Sequence, residues 1–347
     1  MKKIAICLPS YNEHKNIKKI TKKIDKALNL INTSYKCFIV NCDNNSPDKT
    51  NYIFKTTNTT NQKISILTSK KGKGENIYNF LKFCHQEDID YAITIDTDTK
   101  SFHASWLIRI LKALTTGADF TYPLYIREKE EGNTTNHFVT LMLYKIYGKF
   151  IRQPLGGDYG FTKDYITKIL TITPTDDILK YGIDIFLVIS AISNNFNIRE
   201  VFLGYKKHNP SYHKMLSIFD NVVKGFIDTY NLYPTHLPKK PINYTPFVLP
   251  NKVWPYRSYF DSLYQKYLTK HGFKATDYFL IEEKWLEKLT YFANNISALD
   301  EEFLINLKEY FLIRSVSFWD RVNLENNKKW EEIIIKSCLK LGEENEN

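Results

Sequence analysis

Residues 91–98 read Tyr-Ala-Ile-Thr-Ile-Asp-Thr-Asp, an apolar run followed directly by two carboxylates one residue apart. The run is short and contains β-branched residues, which is typical of a buried strand. Asp96, Thr97 and Asp98 then stand where that strand ends. The stretch therefore predicts a strand that delivers two acidic side chains to one edge of a sheet.

Strand-like runs alternate with runs of helical spacing along the chain up to this stretch. The predicted strands lie at residues 3–8, 35–41, 63–68 and 91–95, with helices near 16–31 and 75–85. Such alternation predicts βαβ units, and therefore an α/β, Rossmann-like fold with a mixed, mostly parallel sheet flanked by helices. Ligands in such sheets bind at the carboxyl ends of the strands. Polar loops stand at those ends, near residues 9–13, 43–48, 70–76 and 96–99.

The rest of the chain divides into a mixed section and a helical one. Residues 120–215 combine strand-like, helical and glycine-rich stretches, whereas apolar residues from 216 onward recur mostly at helical spacing. We expect an α/β domain at residues 1–215 and a mainly helical C-terminal region at residues 216–347. The helical region has two candidate partners, a membrane surface and a second copy of the chain.

The composition is that of an ordinary globular protein. Of the 347 residues 43% are hydrophobic and 25% are charged, and no run of 18 apolar residues predicts a transmembrane helix. The net charge of +10 comes from scattered lysines without a nucleic-acid-binding signature, so we expect no nucleic-acid partner. The five cysteines are widely spaced and form no CxxC pair, which indicates reduced thiols and a cytoplasmic location.

The acidic pair at the end of the fourth strand can hold a metal ion. Mn²⁺ and Mg²⁺ prefer oxygen ligands and bind through one or two carboxylates together with substrate phosphates. Asp96 and Asp98 are therefore candidate ligands of Mn²⁺ or Mg²⁺. An acidic pair in a loop is also commonly only solvated, so the assignment depends on the neighbouring motifs.

Two further motifs fit an anionic ligand such as a nucleotide. In the loop Lys70–Asn76, glycines let the backbone approach a phosphate, Lys73 supplies positive charge, and the N-terminus of the next helix favours anions. The loops that begin at Pro9 and Asp43 end strands on the same edge, and Asp43 can accept a hydrogen bond from a base or ribose. The alternative is ordinary turn and helix-cap chemistry, which Ser, Asn and Asp serve well.

Four motifs in this order resemble the GT-A glycosyltransferases, above all their family-two group. They are Pro9–Glu13, Asp43–Thr50, Gly72–Gly74 and Asp96–Asp98. The resemblance implies metal-dependent transfer of a hexosyl group from GDP- or UDP-hexose to an acceptor hydroxyl. It also implies a set of residues that bind the nucleotide sugar, namely Pro9, Tyr11, Glu13, Asp43, Lys73, Asp96 and Thr97.

Three motifs in the middle section extend this resemblance. Gln153–Asp158, Tyr181–Asp184 and Lys206–His208 follow one another in an order similar to that of retaining glycosyltransferases of the mannosylglycerate synthase type. In such enzymes the first of these loops lies against the donor sugar and the acceptor. By this resemblance the substrate-binding residues are Leu155, Gly156, Gly157, Arg127 and Thr140.

The same resemblance implies roles in metal binding and catalysis. It implies that Asp98 and His208 ligate the metal beside Asp96, with His213 as the rival histidine. It places Asp184 near the reacting sugar. These roles are those of retaining enzymes, in which a phosphate oxygen can take the acceptor's proton.

Other reaction types are still open at this point. If the enzyme inverts, a carboxylate must act as general base, and Asp158 or Asp184 is the candidate catalytic residue. A nucleotidyltransferase also uses a Gly/Lys loop and paired acids, but its phosphate loop normally follows the first strand, where this chain has Pro9–Glu13. The third interpretation is a non-catalytic sugar- or nucleotide-binding protein, against which the predicted metal ligands argue.

Overall fold

The computed structural model of the protein describes residues 1–31, 35–207, 212–249 and 255–343. These residues form two compact units. The first unit is built from Met1–Ile126, Pro154–Pro210 and Lys224–Thr229, and the second from Arg127–Gln153, Ser211–Val223 and Tyr230–Asn347, within the described ranges. The units do not divide at the predicted boundary between residues 215 and 216, since Arg127–Gln153 belongs to the second unit. The functional division of the chain into two domains stays a prediction.

The described part of the first unit contains a seven-stranded sheet. Its strands are β1 (Lys2–Ser10), β2 (Tyr35–Asp43), β3 (Gln62–Leu67), β4 (Tyr91–Thr94), β5 (Phe120–Ile126), β6 (Gly160–Thr162) and β7 (Ile198–Tyr205). Their order is β3-β2-β1-β4-β6-β5-β7, and β6 pairs antiparallel with both of its neighbours while the other pairs are parallel. The predicted α/β fold with a mixed, mostly parallel sheet is therefore confirmed.

Strand β1 lies in the middle of this sheet, between β2 and β4. Its residues Ile4 and Ile6 are fully buried, as are Ile39 on β2 and Ile93 on β4. Parallel strands covered on both faces need nearly continuous apolar runs, which is why these strands could be predicted from the sequence. The strands bring their carboxyl ends, and the loops that follow, to the same edge of the sheet.

The described helices include those that the sequence predicts near residues 16–31 and 75–85. The described helices are α1 (Ile17–Leu28), α2 (Thr50–Thr56), α3 (Lys73–Gln86), α4 (Ala104–Thr115), α5 (Thr140–Tyr147), α6 (Lys163–Ile169), α7 (Ile183–Ser193), α8 (Met215–Leu232), α9 (Asp261–Lys270), α10 (Tyr278–Asn295), α11 (Glu301–Leu324) and α12 (Glu331–Glu343). In α1 the isoleucines Ile17, Ile20 and Ile24 recur at helical spacing and are buried, whereas most of its lysines are exposed. Apolar spacing of this kind made α1 predictable from the sequence.

Strand β6 was not predicted, because three residues are too few to show a period. It begins at Gly160, where a Cβ atom would lie 2.5 Å from Ile110 Cγ2 on α4. The absence of a side chain at Gly160 therefore lets the strand pack closely against the helix. This packing places the loop before β6 next to the end of β4.

The second unit contains a helical segment that is rich in aromatic residues. In the structure it begins as a π-helical turn at Thr135–Val139 and continues as α5. Trp285 Nε1 on α10 donates a hydrogen bond to the carbonyl of His137 at 2.8 Å. Trp319 Nε1 on α11 donates to Asn133 Oδ1 at 3.0 Å. Two buried tryptophans therefore hold the irregular turn in place.

None of the helices in the described ranges combines the length and hydrophobicity needed to cross a membrane. All five cysteines carry free thiols, and Cys7, Cys42, Cys84 and Cys338 are buried.

Candidate functional site

Three strand ends meet at the edge of the sheet that carries the acidic motif. The register pairs Pro9 with Cys42 and Ser10 with Asp43, so β1 and β2 end level. The amide of Ile95 donates to the carbonyl of Cys7 at 2.9 Å, which continues the pairing of β4 with β1. Thr97 Oγ1 then donates to the carbonyl of Pro9 at 2.7 Å. The predicted residues Pro9, Asp43 and Thr97 are thus brought together.

Asp43 is a buried acceptor at this edge. The amide and hydroxyl of Ser46 both donate to its Oδ1 atom, at 2.9 and 2.5 Å. Its Oδ2 atom is buried and has no hydrogen-bond partner among the described residues. A buried oxygen without a partner costs free energy, which a ligand N–H or O–H would recover. The position therefore suits recognition of a base or ribose.

Asn44 joins the loop after β2 to the glycine loop before α3. Its Nδ2 atom donates to Thr68 Oγ1 at 2.7 Å and to Asn76 Oδ1 at 2.8 Å, and its Oδ1 atom accepts from the amide of Gly72 at 3.2 Å. Asn76 Nδ2 in turn donates to the carbonyl of Ser10 at 3.1 Å. Neither asparagine could be predicted as a loop-joining residue from the sequence, because their partners are distant in the chain.

The glycine loop is shaped by close backbone contact. A Cβ atom at Gly72 would lie 2.2 Å from Leu179 O, and one at Gly74 would lie 2.5 Å from Ile178 O. Side chains cannot fit at these positions without moving the backbone of the segment before α7. The glycines therefore set the position of Lys73, the first residue of α3.

Lys73 lies between two carboxylates. Its Nζ atom is 3.2 Å from Asp184 Oδ2 and 3.4 Å from Asp96 Oδ1. Burial disfavours the ammonium form, but the nearby charges of Asp184, Asp96 and Asp158 outweigh it and raise the pKa of Lys73. Lys73 therefore keeps its positive charge at this edge, next to the N-terminus of a helix.

Lys206, just beyond the end of β7, carries the other ammonium group of this cluster. Its Nζ atom donates to Asp158 Oδ2 at 2.6 Å, to Asp96 Oδ2 at 2.9 Å and to the carbonyl of Gly156 at 2.9 Å. Its side chain is 3% exposed. From the sequence Lys206 belongs only to the Lys206–His208 motif and has no predicted role, since nothing local indicates what its ammonium contacts.

Asp158 is fully buried beneath the acidic motif. Its Oδ1 atom accepts from the amide of Asp96 at 2.8 Å, and its Oδ2 atom accepts from Lys206 and from the hydroxyl of Tyr125. Burial raises the pKa of Asp158, although the charge of Lys206 acts in the opposite direction. Its predicted role as general base stays a prediction, and the structure shows both of its oxygens engaged within the protein.

Asp184 lies in the first turn of α7, with its Oδ2 atom facing Lys73. Burial raises the pKa of Asp184, and the charge of Lys73 opposes this effect. A carboxylate in the first turn is also a common means of stabilising a helix N-terminus. The structure therefore brings Asp184 to the Lys73–Asp96 cluster, while its predicted catalytic role stays a prediction.

The loop that contains Leu155, Gly156 and Gly157 is tied directly to β4. Thr94 Oγ1 donates to the carbonyl of Gly157 at 2.8 Å and accepts from the amide of Tyr159 at 2.9 Å. Gly157 adopts a φ of +84°, and a Cβ atom there would lie 2.2 Å from Asp96 Oδ2. Gly157 therefore lies against the acidic motif, and the predicted contact of this loop with a sugar stays a prediction.

Tyr11 and Glu13 stand at the rim of the edge. Tyr11 is exposed, and the ammonium of Lys71 lies 4.9 Å from its ring centroid. Glu13 is half-buried and accepts a hydrogen bond from Asn16 Nδ2 at 2.7 Å. Burial raises the pKa of Glu13 to about 7, and the neighbouring charge of Asp98 adds to the shift. Glu13 is therefore a titratable group near the site at neutral pH.

Asp98 differs from the other acids of the cluster. It is half-buried, and within the described ranges no hydrogen bond or ion pair engages its carboxylate. Asp96, by contrast, faces the ammonium groups of Lys73 and Lys206. In the described part of the chain, the cluster contains four carboxylates but only two ammonium groups, those of Lys73 and Lys206. The carboxylates are those of Asp96, Asp98, Asp158 and Asp184. The excess of negative charge suits a cation.

The predicted metal set can be tested only in part. Among the described residues no three His, Cys, Asp or Glu side chains form a metal-binding group. His208 lies outside the described residues, and the rival His213 lies in a short turn of the second unit. Asp98 remains available, and one carboxylate together with substrate phosphates is a common arrangement for Mg²⁺. The residues present therefore fit a cation that is shared with a bound diphosphate.

Arg127 and Thr140, the two remaining candidates, belong to the second unit. Thr140 is buried, and its hydroxyl donates to the carbonyls of Ile151 at 3.0 Å and Arg152 at 3.3 Å. Arg127 is half-buried. Their predicted contacts with an acceptor stay predictions.

Comparison with known proteins agrees with this arrangement. Residues 5–168 match the family model described as Glycosyl transferase family 2. No curated protein sequence matches the chain significantly. Several solved structures share its fold, among them glucosyl-3-phosphoglycerate synthase from Mycobacterium tuberculosis in complex with phosphoglyceric acid. That structure is 20% identical in sequence, with 70% of this chain and 84% of that chain covered and a TM-score of 0.55.

Two further structures of the same mycobacterial enzyme are similar at 20% identity. One, in complex with Mn²⁺, uridine-diphosphate-glucose and phosphoglyceric acid, covers 70% of this chain and 88% of that chain with a TM-score of 0.55. Another, with Mg²⁺ and uridine-diphosphate, covers 73% and 88% with a TM-score of 0.54. These similarities show a shared GT-A fold. Together with the family match over residues 5–168, they show that the chain shares this fold and that its first half is similar to glycosyltransferase family 2.

Proposed function

We propose that this protein transfers a hexosyl group from a nucleotide diphosphate sugar to an acceptor hydroxyl with the aid of Mn²⁺ or Mg²⁺. The observation that carries the proposal is the difference between the two acids of the motif. Asp96 is neutralised by Lys73 and Lys206, whereas Asp98 has no such partner within the described residues. A cation at Asp98 and the ammonium of Lys73 would both face a leaving diphosphate.

Each part of the edge has a task in this proposal. The unpartnered oxygen of Asp43 accepts from the base or ribose, and Pro9, Tyr11, Glu13 and Thr97 line the same side. A cation bound to Asp98 supplies electrostatic stabilisation of the departing diphosphate. In this proposal Asp96 and His208 are further ligands of the same cation, and His208 completes the set of metal ligands.

The proposed donor is UDP-glucose, with GDP- and other UDP-hexoses as alternatives. This choice is supported by the similar mycobacterial enzyme, whose structures contain uridine-diphosphate-glucose with Mn²⁺. Those structures also contain phosphoglyceric acid or glycerol 3-phosphate, so a small phosphorylated hydroxy compound is the first acceptor to test. Leu155, Gly156, Gly157, Arg127 and Thr140 are the proposed substrate contacts.

We propose retention of anomeric configuration, with Asp184 as the carboxylate next to the reacting sugar. Asp184 is 9% exposed at its side chain and points one oxygen at Lys73. For an inverting reaction a general base must be accessible to the acceptor. Asp158 is poorly placed for that task because it is fully buried and both of its oxygens are engaged. Asp184 is therefore the better candidate in either case.

We propose a cytoplasmic location for the enzyme. The free cysteines fit a reducing, cytoplasmic location. A second copy of the chain and a membrane surface are the candidate partners of the helices beyond residue 216.

A donor screen tests the proposed function. The wild-type protein, Asp98→Asn and the control Asp176→Asn would be incubated with Mn²⁺ and UDP-glucose, UDP-galactose, UDP-GlcNAc or GDP-mannose. Asp176 is an exposed acid whose carboxylate pairs with Lys70 outside the acidic cluster. We expect release of nucleoside diphosphate by wild type and Asp176→Asn, and a loss of about 100-fold or more in Asp98→Asn. Equal rates in all three proteins would refute the metal site.

The identity of the released product separates the proposal from its rivals. Free nucleoside diphosphate supports a glycosyltransferase, whereas pyrophosphate would indicate a nucleotidyltransferase. Calorimetric titration of UDP with and without Mn²⁺ addresses the non-catalytic interpretation. Metal-dependent nucleotide binding without turnover of any donor would favour a binding protein.

A further inference from the structure

Lys73 and Lys206 both contact the acidic cluster, but the surroundings of their ammonium groups differ. Lys73 Nζ lies 3.2 and 3.4 Å from single oxygens of Asp184 and Asp96, so its contacts are long. Lys206 Nζ donates to three oxygens of the described residues within 3.0 Å, as many as an ammonium group has protons. The side chain of Lys73 is 19% exposed and that of Lys206 only 3% exposed. Lys73 can therefore move toward a ligand, whereas Lys206 is held within the protein.

The three acceptors of Lys206 come from two separate segments. Asp96 belongs to the acidic motif after β4, and Gly156 and Asp158 belong to the loop before β6. Tyr125 on β5 completes the enclosure, since its hydroxyl donates to Asp158 and its ring centroid lies 5.1 Å from Lys206 Nζ. The end of β7 thus supplies one cation that joins both segments.

This arrangement fixes the carboxylate of Asp96 from two directions. The amide of Asp96 donates to Asp158 Oδ1, and its Oδ2 atom accepts from Lys206. Gly157 lies directly against the same carboxylate. Thr97 Oγ1 donates to the carbonyl of Pro9 at 2.7 Å and the amide of Thr99 donates to the carbonyl of Asp96 at 3.1 Å, so the backbone that carries Asp98 is held on both sides.

We propose that Lys206 is a positioning residue, which locks the Gly156–Asp158 loop to Asp96 and so presents Asp98 to the nucleotide-bound cation without itself contacting the diphosphate. The proposal rests on the proposed function, because it assigns Asp98 a cation and the loop a sugar. The two lysines then have different roles: Lys73 binds the donor, and Lys206 keeps the loop and Asp96 in position. Misplacement of reacting groups by about 1 Å can cost roughly 100-fold in rate.

The experiment compares Lys206→Met with Lys73→Met, two changes of the same chemistry in the same cluster. Binding of UDP in the presence of Mn²⁺ is measured by calorimetry, and kcat and KM are measured for the donor that the wild type uses. We expect Lys206→Met to lower kcat by about 100-fold with UDP affinity within about threefold of wild type. We expect Lys73→Met to weaken UDP binding by about tenfold or more. Equal weakening of UDP binding in both variants would overturn the proposal.

A second measurement needs no catalysis. Lys206→Met leaves the fully buried Asp158 without its cation, which should lower the thermal midpoint by roughly 5 °C or more. The double variant Lys206→Met with Asp158→Asn has no such unpaired charge, so we expect it to recover most of that loss while kcat stays low. An unchanged midpoint in Lys206→Met, or recovery of kcat in the double variant, would contradict the proposal.

These outcomes also separate this inference from the proposed function. If the wild type releases no nucleoside diphosphate from any donor, the proposed function fails, and the thermal midpoints still decide whether Lys206 holds the loop. If Lys206→Met does not fold, the double variant carries the binding and rate measurements. Lys206→Arg, which keeps the charge, is expected to retain more of the stability and of kcat than Lys206→Met.

Discussion

Gly157 lies against Asp96 so closely that a Cβ atom would fall 2.2 Å from the Oδ2 atom of the carboxylate. Asp96 cannot easily move away, because its amide and its carboxylate are bound to Asp158 and Lys206. A glycine in the loop before β6 and an acid after β4 therefore form one rigid element. The predicted motifs of the middle section and the acidic motif meet at this contact.

Gly157→Ala tests this contact. A side chain at a φ of +84° is strained by about 1 kcal/mol or more, and the clash with Asp96 adds to that cost. Gly204→Ala is the matched control, because Gly204 has a φ of +83° and open space where the Cβ atom would lie. We expect Gly157→Ala to lower kcat/KM by about tenfold or more, and Gly204→Ala to show only the stability loss. Equal kinetic effects in the two variants would argue against the contact.

Gly74→Ala tests the packing of the glycine loop. Within a helix, alanine is favoured over glycine by about 1 kcal/mol. At this position, however, the Cβ atom would lie 2.5 Å from Ile178 O, and backbone cannot yield as a flexible side chain can. We expect the clash to outweigh the helix propensity, so that both the thermal midpoint and UDP affinity fall. Gln86→Ala, at an exposed position in the same helix, should change neither.

Glu13 is expected to make stability depend on pH. Burial raises its pKa from the ordinary value of 4.5 to about 7 in the folded state. Between these values the folded protein holds a proton that the unfolded chain has lost, so the stabilisation fades as the pH rises through about 7. Denaturant unfolding from pH 5 to pH 8.5 should show the wild type losing stability relative to Glu13→Gln. Parallel curves for the two proteins would show that Glu13 does not titrate in this range.

In the second unit, Arg152 and Glu331 form a buried ion pair. Arg152 Nε and Nη2 contact Glu331 Oε1 at 3.0 and 2.9 Å, and Glu331 Oε2 accepts from Tyr244 and from the amide of Phe247. Removing one partner of a buried pair costs about 3–5 kcal/mol. We therefore expect Glu331→Gln to lower the free energy of unfolding by about 3 kcal/mol.

The control for this pair is Glu287→Gln. Glu287 pairs with Lys284 on the solvent face of α10, where both side chains are exposed. Exposed pairs contribute little because water screens them. Urea midpoints should therefore drop for Glu331→Gln and stay at the wild-type value for Glu287→Gln. Similar midpoints in both variants would mean that the buried pair contributes no more than an exposed one.

Most of the strands, several helices and the acidic edge could be predicted from the sequence because their signals are local. The run before Asp96 is apolar over consecutive residues, and the isoleucines of α1 recur at helical spacing. In a parallel sheet the strand ends fall on one edge, so the loops after β1, β2 and β4 were expected together. Strand β6 could not be predicted because three residues are too few to show a period of alternating burial.

The connections within the site could not be predicted in this way. Lys206 donates to Asp96 across 110 positions of the chain, and Asn44 reaches Asn76 across 32. A lysine near a strand end has the same local appearance whether its ammonium is solvated or buried among three acceptors. Nothing in the neighbouring residues distinguishes the two.

By itself the sequence determined most of the strands and several of the helices, the glycines and acids at the ligand edge, and the resemblance to family-two glycosyltransferases. These are properties of short segments, set by apolar periodicity and by turn chemistry. Only the tertiary structure decided which acid of Asp96 and Asp98 faces lysines and which does not. That difference depends on side chains brought from β7 and from α3, and the charge around a carboxylate is a property of the assembled neighbourhood rather than of the motif.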